Sequence, residues 1–218
     1  MPRALFEKTG NAVWISHLDL MRLFQRAFKR AGLPLTHTQG FSPRPSVSIA
    51  LPLSVGVESQ CELLDFDLDG MNLPCNEICA RLNDALVEGV RVVQVYENGS
   101  KIKNLALLRS VISLEYDKGV PEGAGDSMKE LLSRPNLTVE KKGKNGITEQ
   151  DIIPMIRTWE IRALANEIQI ELVACCQNPT LNPMQVHGAI LRYLPELTPD
   201  FAKCRRVEVY DTNENVFR

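Results

Sequence analysis

The segment from Ser16 to Pro34 constrains the fold of this chain more than any other segment. Apolar residues recur within it at intervals of three and four positions, namely Leu20, Phe24, Ala27, Phe28 and Ala31. This spacing predicts a helix with one apolar face, which has to be buried against another element. Ser16 is a favourable N-cap residue with Asp19 three positions on, and Gly32-Leu33-Pro34 ends the periodic pattern. We therefore predict a helix over residues 17–31.

The elements around this helix follow the order βαββαβ. Alternating or valine-rich segments predict strands at 3–9, 46–51, 61–69 and 91–96, and a second apolar periodicity predicts a helix at 76–86. This is the order of the ferredoxin-like fold, in which two helices cover one face of an antiparallel sheet. Residues 1–98 are thus predicted to form an N-terminal ferredoxin-like domain.

The second half of the chain repeats this order in outline, after a polar boundary at 98–104. Strands are predicted at 107–116, 137–142, 158–164, 167–174 and 205–210, and helices at 126–132 and 183–193. A turn is predicted at 141–146, and the pattern assigns no structure to an insertion at 147–157. We predict a C-terminal ferredoxin-like domain at 105–218, and hence an α+β chain of two tandem ferredoxin-like domains with antiparallel sheets.

Composition excludes several classes of protein. Of the 218 residues, 44% are hydrophobic, which is enough to form a buried core. No apolar run approaches the roughly 18 residues of a membrane span, and no export signal is recognisable, so we expect a cytoplasmic protein with no membrane partner. The six cysteines are expected to be reduced, and they contain no Cys-x2-Cys pair. We expect neither a metal nor another cofactor, because no phosphate-binding glycine loop is present either.

Charge is distributed unevenly along the chain. Residues 1–48 carry a net charge of +5, whereas residues 49–100 carry −7. Cations cluster on the polar side of the predicted helix, at Arg22, Arg26, Lys29 and Arg30. A Gly/Pro-containing loop follows, with four further candidates for binding RNA or phosphate: Gln39, Phe41, Ser42 and Arg44. These residues predict a phosphate-binding surface, for which a solvated helix face is the alternative interpretation.

Two histidines are candidates for catalysis. His17 opens the predicted helix and His37 precedes the loop, so that either one is placed to act as a general base beside the cations. A packing or hydrogen-bonding role is the alternative for His17. Asp65, Asp67 and Asp69 alternate along a predicted strand, and we interpret them as a solvated acidic face rather than as metal ligands.

Three motifs resemble those of a known family. They are Ser16-His17-Leu18-Asp19, Gln39-Gly40-Phe41-Ser42-Pro43 and Pro52-Leu53-Ser54-Val55-Gly56-Val57-Glu58-Ser59. The chain resembles the bacterial radical-SAM-associated family of uncharacterised proteins, a domain of unknown function found beside or fused to cobalamin-binding-type radical SAM proteins. Its genes lie near those for ribonuclease G and ribosomal proteins. The resemblance implies a radical SAM protein as one partner and an RNA or ribosomal component as another.

The loop departs from the family pattern at three positions. Ser42, Arg44 and Ser46 stand where the family pattern resembles Asn, His and Lys.

Three functions remain open. The first is a non-catalytic RNA-binding or ribosome-maturation adaptor that works with a separate radical SAM enzyme. The second is a metal-independent endoribonuclease of the tandem ferredoxin-like type, with His17 or His37 as base. The third is a protein-only interaction module. The sequence identifies neither the RNA or protein partner nor the oligomeric state.

Overall fold

The computed structural model describes residues 1–143 and 146–218, and the predicted turn at 141–146 therefore includes two residues, Lys144 and Asn145, that lie outside the described residues. The chain divides into two units, Met1–Ile102 together with Arg218, and Lys103–Phe217. Each unit combines helices with antiparallel strands, so the α+β class is confirmed. Among the described residues, no helix has the length and apolar content of a membrane span.

The first unit contains four strands and two α-helices in the predicted order. They are β1 (Arg3–Lys8), α1 (His17–Arg30), β2 (Val47–Ile49), β3 (Val57–Phe66), α2 (Cys75–Ala85) and β4 (Val90–Tyr96). The strands lie in the order β4-β1-β3-β2, and each neighbouring pair is antiparallel. Strand β1 therefore lies between β4 and β3, and α1 connects it to β2, which pairs with β3.

The core of this unit forms where α1 packs on the sheet. Phe24 meets Phe6 of β1 with ring centroids 4.7 Å apart, and Phe28 meets Phe66 of β3 at 4.9 Å. Both helix positions are completely buried, as is Leu20. Burial of one such side chain contributes about 1.5–3 kcal/mol, so the apolar face fixes how α1 is rotated on the sheet.

The ends of α1 follow the local sequence signals. The Ser16 hydroxyl accepts a hydrogen bond from the backbone N–H of Asp19 at 3.2 Å, as an N-cap should. At the other end, Gly32 has a φ of +66°, a conformation that favours glycine and ends the helix. The predicted helix is confirmed, and it ends at Arg30 with Ala31 as its C-cap.

In its described residues, the second unit contains two further α-helices and six strands. They are β5 (Leu105–Glu115), α3 (Ala124–Leu132), β6 (Thr138–Gly143), β7 (Gly146–Asp151), β8 (Ile156–Ala163), β9 (Glu167–Cys175), α4 (Met184–Tyr193) and β10 (Phe201–Asp211). Its main strands lie in the order β10-β5-β9-β8. If β6 and β7 are left aside, this is the same arrangement of successive elements as in the first unit.

Among the residues that the structure describes, β6 and β7 pair with each other and form a separate two-stranded sheet. The predicted strand at 137–142 is thus part of an inserted hairpin rather than of the main sheet, and the unassigned residues 147–157 supply its second strand. The hairpin is anchored on α4, because the Tyr193 hydroxyl donates to the Thr138 carbonyl at 2.9 Å and Arg192 pairs with Glu149 at 3.1 Å.

The acidic strand face is not the solvated surface predicted from the sequence. Asp65 receives two hydrogen bonds from the guanidinium of Arg3, at 2.6 and 3.1 Å, and Asp67 accepts from the Thr36 hydroxyl at 3.1 Å. Arg3 is buried and also donates to the Ser100 carbonyl. Burial lowers the pKa of Arg3, but the hydrogen bonds and charge of Asp65 outweigh that effect, and the pKa lies above its ordinary value.

Removal of the Asp65 carboxylate should therefore leave a buried cation without its main counter-charge. We expect Asp65→Ala to lower the free energy of unfolding by about 3 kcal/mol, measured by urea denaturation. Asp69→Ala is the matched control, because Asp69 belongs to the same predicted acidic face but is exposed. The control should change stability by less than roughly 0.5 kcal/mol. Equal effects of the two substitutions would contradict a structural role for the Arg3–Asp65 pair.

Candidate functional site

The polar face of α1 borders a groove that contains three of the predicted arginines. The groove has a volume of about 510 Å³ and is lined by Ile15, Asp19, Arg22, Leu23, Arg26, Arg30 and Val87. Burial of the opposite face of α1 forces these arginines outward, and positions 22, 26 and 30 lie one helical turn apart. The groove therefore combines an apolar floor with a row of cations.

The three arginines differ in how far their charge is already engaged. Arg22 forms an ion pair with Asp19 at 2.9 Å, and Arg30 donates to the Ala85 carbonyl at 2.5 Å. Among the described residues, Arg26 makes neither an ion pair nor a side-chain hydrogen bond, although its charge helps to lower the pKa of Asp19. Arg26 is thus the groove residue best able to receive an external anion.

Lys29 and His37 face a second groove on the other flank of α1. This groove has a volume of about 480 Å³ and is lined by Gln25, Phe28, Lys29, Gly32, Leu33, Pro34, Leu35, His37 and Pro45. The cations that the sequence predicts to form one patch are therefore divided between two flanks of the same helix. Arg26 lines one groove and Lys29 lines the other. They are three residues apart on the exposed face of α1 and are therefore neighbours on the helix surface.

The loop after α1 forms a narrow hairpin-like projection. His37 pairs with Pro45 in an isolated bridge, the Thr38 N–H donates to the Arg44 carbonyl at 2.8 Å, and the Arg44 N–H donates to the Thr38 hydroxyl at 3.0 Å. The remaining predicted residues lie at its tip: Gln39, Phe41 and Ser42, all of them exposed. Phe41 is fully solvent-exposed, which is unusual for a phenylalanine in a folded protein.

The structure does not bring the two candidate histidines into one groove. His37 is exposed and lines the groove beside Lys29, whereas His17 lines neither groove. The Nδ1 atom of His17 is buried and has no hydrogen-bond partner among the described residues. Among the described residues, no carboxylate lines the groove that contains His37. Asp19 lines the other groove, where it is engaged with Ser16 and Arg22.

Sequence reasoning missed the apolar floor of the arginine groove and the anion at its rim. Leu23 and Asp19 were detectable, because they lie three positions from Arg26 and Arg22 on the same helix. Val87 had no local signal, since it comes from the turn between α2 and β4. Such a residue becomes recognisable only when the tertiary structure is known.

The cysteines offer no metal site in the described part of the chain, where no cluster of His, Cys, Asp and Glu could hold an ion. Cys75 and Cys79 lie on α2, and Cys79 contacts the Val92 carbonyl through its sulfur at 3.5 Å. Burial raises the pKa of Cys79, and it raises that of Cys204 to about 11. These thiols are therefore mainly protonated at neutral pH.

Comparison with known proteins identifies a family and solved structures that are similar to this chain. Residues 2–183 match DUF2344, described as an uncharacterised protein conserved in bacteria. A chain in the crystal structure of a Cbf5-Nop10-Gar1 complex is similar, with a TM-score of 0.51 and 10% sequence identity. The match covers 95% of this chain and 48% of that one, so this chain spans about half the length of its structural relative. Curated proteins gave no match.

The contacts of Asp19 lead to a test of the groove rim. The Ser16 hydroxyl donates to the Asp19 carboxylate at 2.7 Å, and this bond, followed by that from Arg22, lowers the pKa of Asp19. Ser16→Ala should therefore raise the pKa of Asp19 towards its ordinary value, as measured by NMR titration. Because the pKa of Asp19 is lowered in the folded state, the ionised carboxylate stabilises the folded protein at pH values above the unfolded-state pKa. This stabilisation is lost as the pH falls through the folded-state pKa.

The same substitution removes the N-cap of α1, which should cost about 1 kcal/mol in unfolding free energy. Ser48→Ala, at an exposed position on β2, serves as the control and should change neither quantity. An unchanged Asp19 titration in Ser16→Ala would show that the serine does not set the charge at the groove rim.

Proposed function

Because this chain belongs to DUF2344, a family of uncharacterised proteins conserved in bacteria, we propose a function from its own surface: it is a non-catalytic RNA-binding adaptor. The RNA-binding surface comprises the exposed face of α1 and the loop 37–45. Its ligand is the phosphate backbone, and the chemistry on the bound RNA belongs to a separate enzyme.

The main support for this proposal is a set of exposed cations that have no ion-pair or side-chain hydrogen-bond partner among the described residues. Among the described residues, the side chains of Arg26, Lys29 and Arg44 form no ion pair or side-chain hydrogen bond, although several other exposed cations do. A phosphate bound by these side chains would release counterions and compete with no internal carboxylate. The three cations lie on two consecutive segments of one unit, so a single strand of RNA is able to contact all of them.

The strand arrangement supports the assignment of both units to the ferredoxin-like fold. In each unit the main strands lie side by side in the order fourth, first, third, second, which is the order of the ferredoxin-like fold. On that basis we propose two ferredoxin-like domains, at 1–98 and 105–218. The fold alone assigns no activity. It explains only why α1 presents one long face to solvent.

The histidine environment favours an adaptor over a nuclease. A metal-independent endoribonuclease needs a base and an acid directed at one phosphate, and the described groove residues contain only one histidine. The resemblance to radical-SAM-associated proteins supports the proposal that the separate enzyme is a radical SAM protein, and that the RNA is a ribosomal component or a related RNA.

The proposal predicts which cations control the salt dependence of binding. We expect the double substitution Arg26→Gln and Lys29→Gln to weaken binding to total bacterial RNA about tenfold and to reduce the slope of log K against log salt by about 1.4, the value for two phosphate contacts on a single strand. Filter binding across a salt series measures both quantities.

A control with the same loss of charge is available on the second unit. Lys118 and Arg157 are exposed and have no ion pair among the described residues, so Lys118→Gln with Arg157→Gln should leave binding unchanged. Equal losses in both double variants would indicate non-specific attraction. Binding that is absent at low salt would reject the RNA-binding proposal and favour a protein-only interaction module. Cleavage of the RNA that His37→Ala abolishes would favour the endoribonuclease.

A further inference from the structure

Trp14 is a large aromatic side chain that the protein holds in solvent. It is 65% exposed, although the short 3-10 helix that contains it, Gly10–Trp14, is tied to the body of the unit at several points. Leu18, which follows it at the start of α1, is also 66% exposed. Tryptophan side chains are highly buried on average, so this exposed indole is available for contact with a ligand.

We propose that Trp14 is a stacking platform for one base of a single-stranded RNA whose phosphates follow the cations of α1. The inference rests on the proposed RNA-binding function and adds to it the strandedness of the ligand and a residue that reads a base plane. Aromatic side chains beside a basic groove are a common means of binding single strands, because every base has a face on which to stack.

A buried lysine fixes the backbone on both sides of Trp14. Lys8 has no exposed surface, and its ammonium donates to the carbonyls of Val13 and Ile15, each at 3.1 Å. These two residues flank Trp14 directly. Placing an ammonium group in a protein interior is costly unless its protons are hydrogen-bonded, so these contacts hold the segment in one conformation.

Two glycines hold the same segment from other sides. The Gly56 N–H donates to the Val13 carbonyl at 2.9 Å, and a β-carbon at Gly56 would lie 3.6 Å from the indole Cζ3 of Trp14. At Gly89 a β-carbon would lie 2.5 Å from the Thr9 carbonyl oxygen and 2.8 Å from the β-carbon of Ala12. The 3-10 helix is therefore closely packed, and the backbone that carries the indole is held in place before any ligand binds, which lowers the entropic cost of stacking.

Trp14 directly precedes the arginine groove along the chain. Ile15, the next residue after Trp14, lines that groove together with Arg22 and Arg26. A turn of α1 advances about 5.4 Å, which is close to the spacing of phosphates along an extended strand. A strand that stacks one base on Trp14 would then run its phosphates along the side of α1 that carries Arg26.

Stacking on Trp14 requires an unpaired base. In an RNA duplex the bases are stacked on each other and are recognised mainly through shape, 2′-hydroxyls and phosphates, whereas single strands offer free base faces. The ligand class that fits both Trp14 and the cations is therefore single-stranded RNA rather than duplex RNA. An apolar protein surface would fit Trp14 as well, but it would not use the adjacent cations.

The test compares Trp14→Leu with Trp14→Phe in the full chain. Leucine keeps an apolar side chain but removes the ring, and phenylalanine keeps a ring. With an oligouridylate of about ten nucleotides, we expect Trp14→Leu to bind about tenfold more weakly, as loss of one stacked base predicts, and Trp14→Phe to bind within about threefold of the unsubstituted chain. Inorganic polyphosphate supplies charge without bases, and its binding should be the same in all three proteins.

Each outcome decides the matter. Normal binding of oligouridylate by Trp14→Leu would overturn the platform while leaving the RNA-binding function intact. Loss of polyphosphate binding in the same variant would show a disturbed groove and would also overturn it. If the unsubstituted chain binds no RNA at low salt, the proposed function itself fails.

Fluorescence gives a second measurement. Because the chain has two tryptophans, a Trp159→Phe variant reports Trp14 alone, and its fluorescence should be quenched by oligouridylate but not by polyphosphate.

Discussion

The packing of α1 on its sheet is the constraint on which the rest of this account depends. Four apolar side chains of that helix are buried, and two of them form ring contacts with Phe6 and Phe66. Because the helix cannot rotate without exposing these rings, Arg26 and Lys29 must face solvent. The placement of the basic residues on the exposed face of α1 is thus a consequence of core packing.

Two of the cations near the N-terminus have a different role. Arg3 and Lys8 contribute to the net charge of residues 1–48, but both are buried and bound to groups of the first unit. Arg3 joins β1 to Asp65 on β3, and Lys8 organises the chain just before α1. Charge counted along the sequence therefore overstates the charge of the surface, and what matters for a ligand is which cations lack an internal partner.

The sequence predicts most of the helices and strands because their signals are local. The apolar spacing of α1, its serine cap and the glycine after it specify that helix without reference to the rest of the chain. Errors arose where partners are distant in sequence. The sequence predicts a solvated Asp65 because nothing near that residue reveals Arg3. It predicts the strand at 137–142 but not its partner at 146–151, which lies almost entirely in residues to which the pattern assigns no structure. The groove likewise depends on Val87, from a different turn.

The most direct test of the central claim is ultraviolet crosslinking of the full chain to single-stranded RNA, with the crosslinked peptides identified by mass spectrometry. Crosslinks are expected on residues 14–44, with Trp14 and Phe41 at the loop tip as the expected aromatic sites. Crosslinks confined to residues 103–217 would contradict the account, because the RNA would then be bound by the other unit.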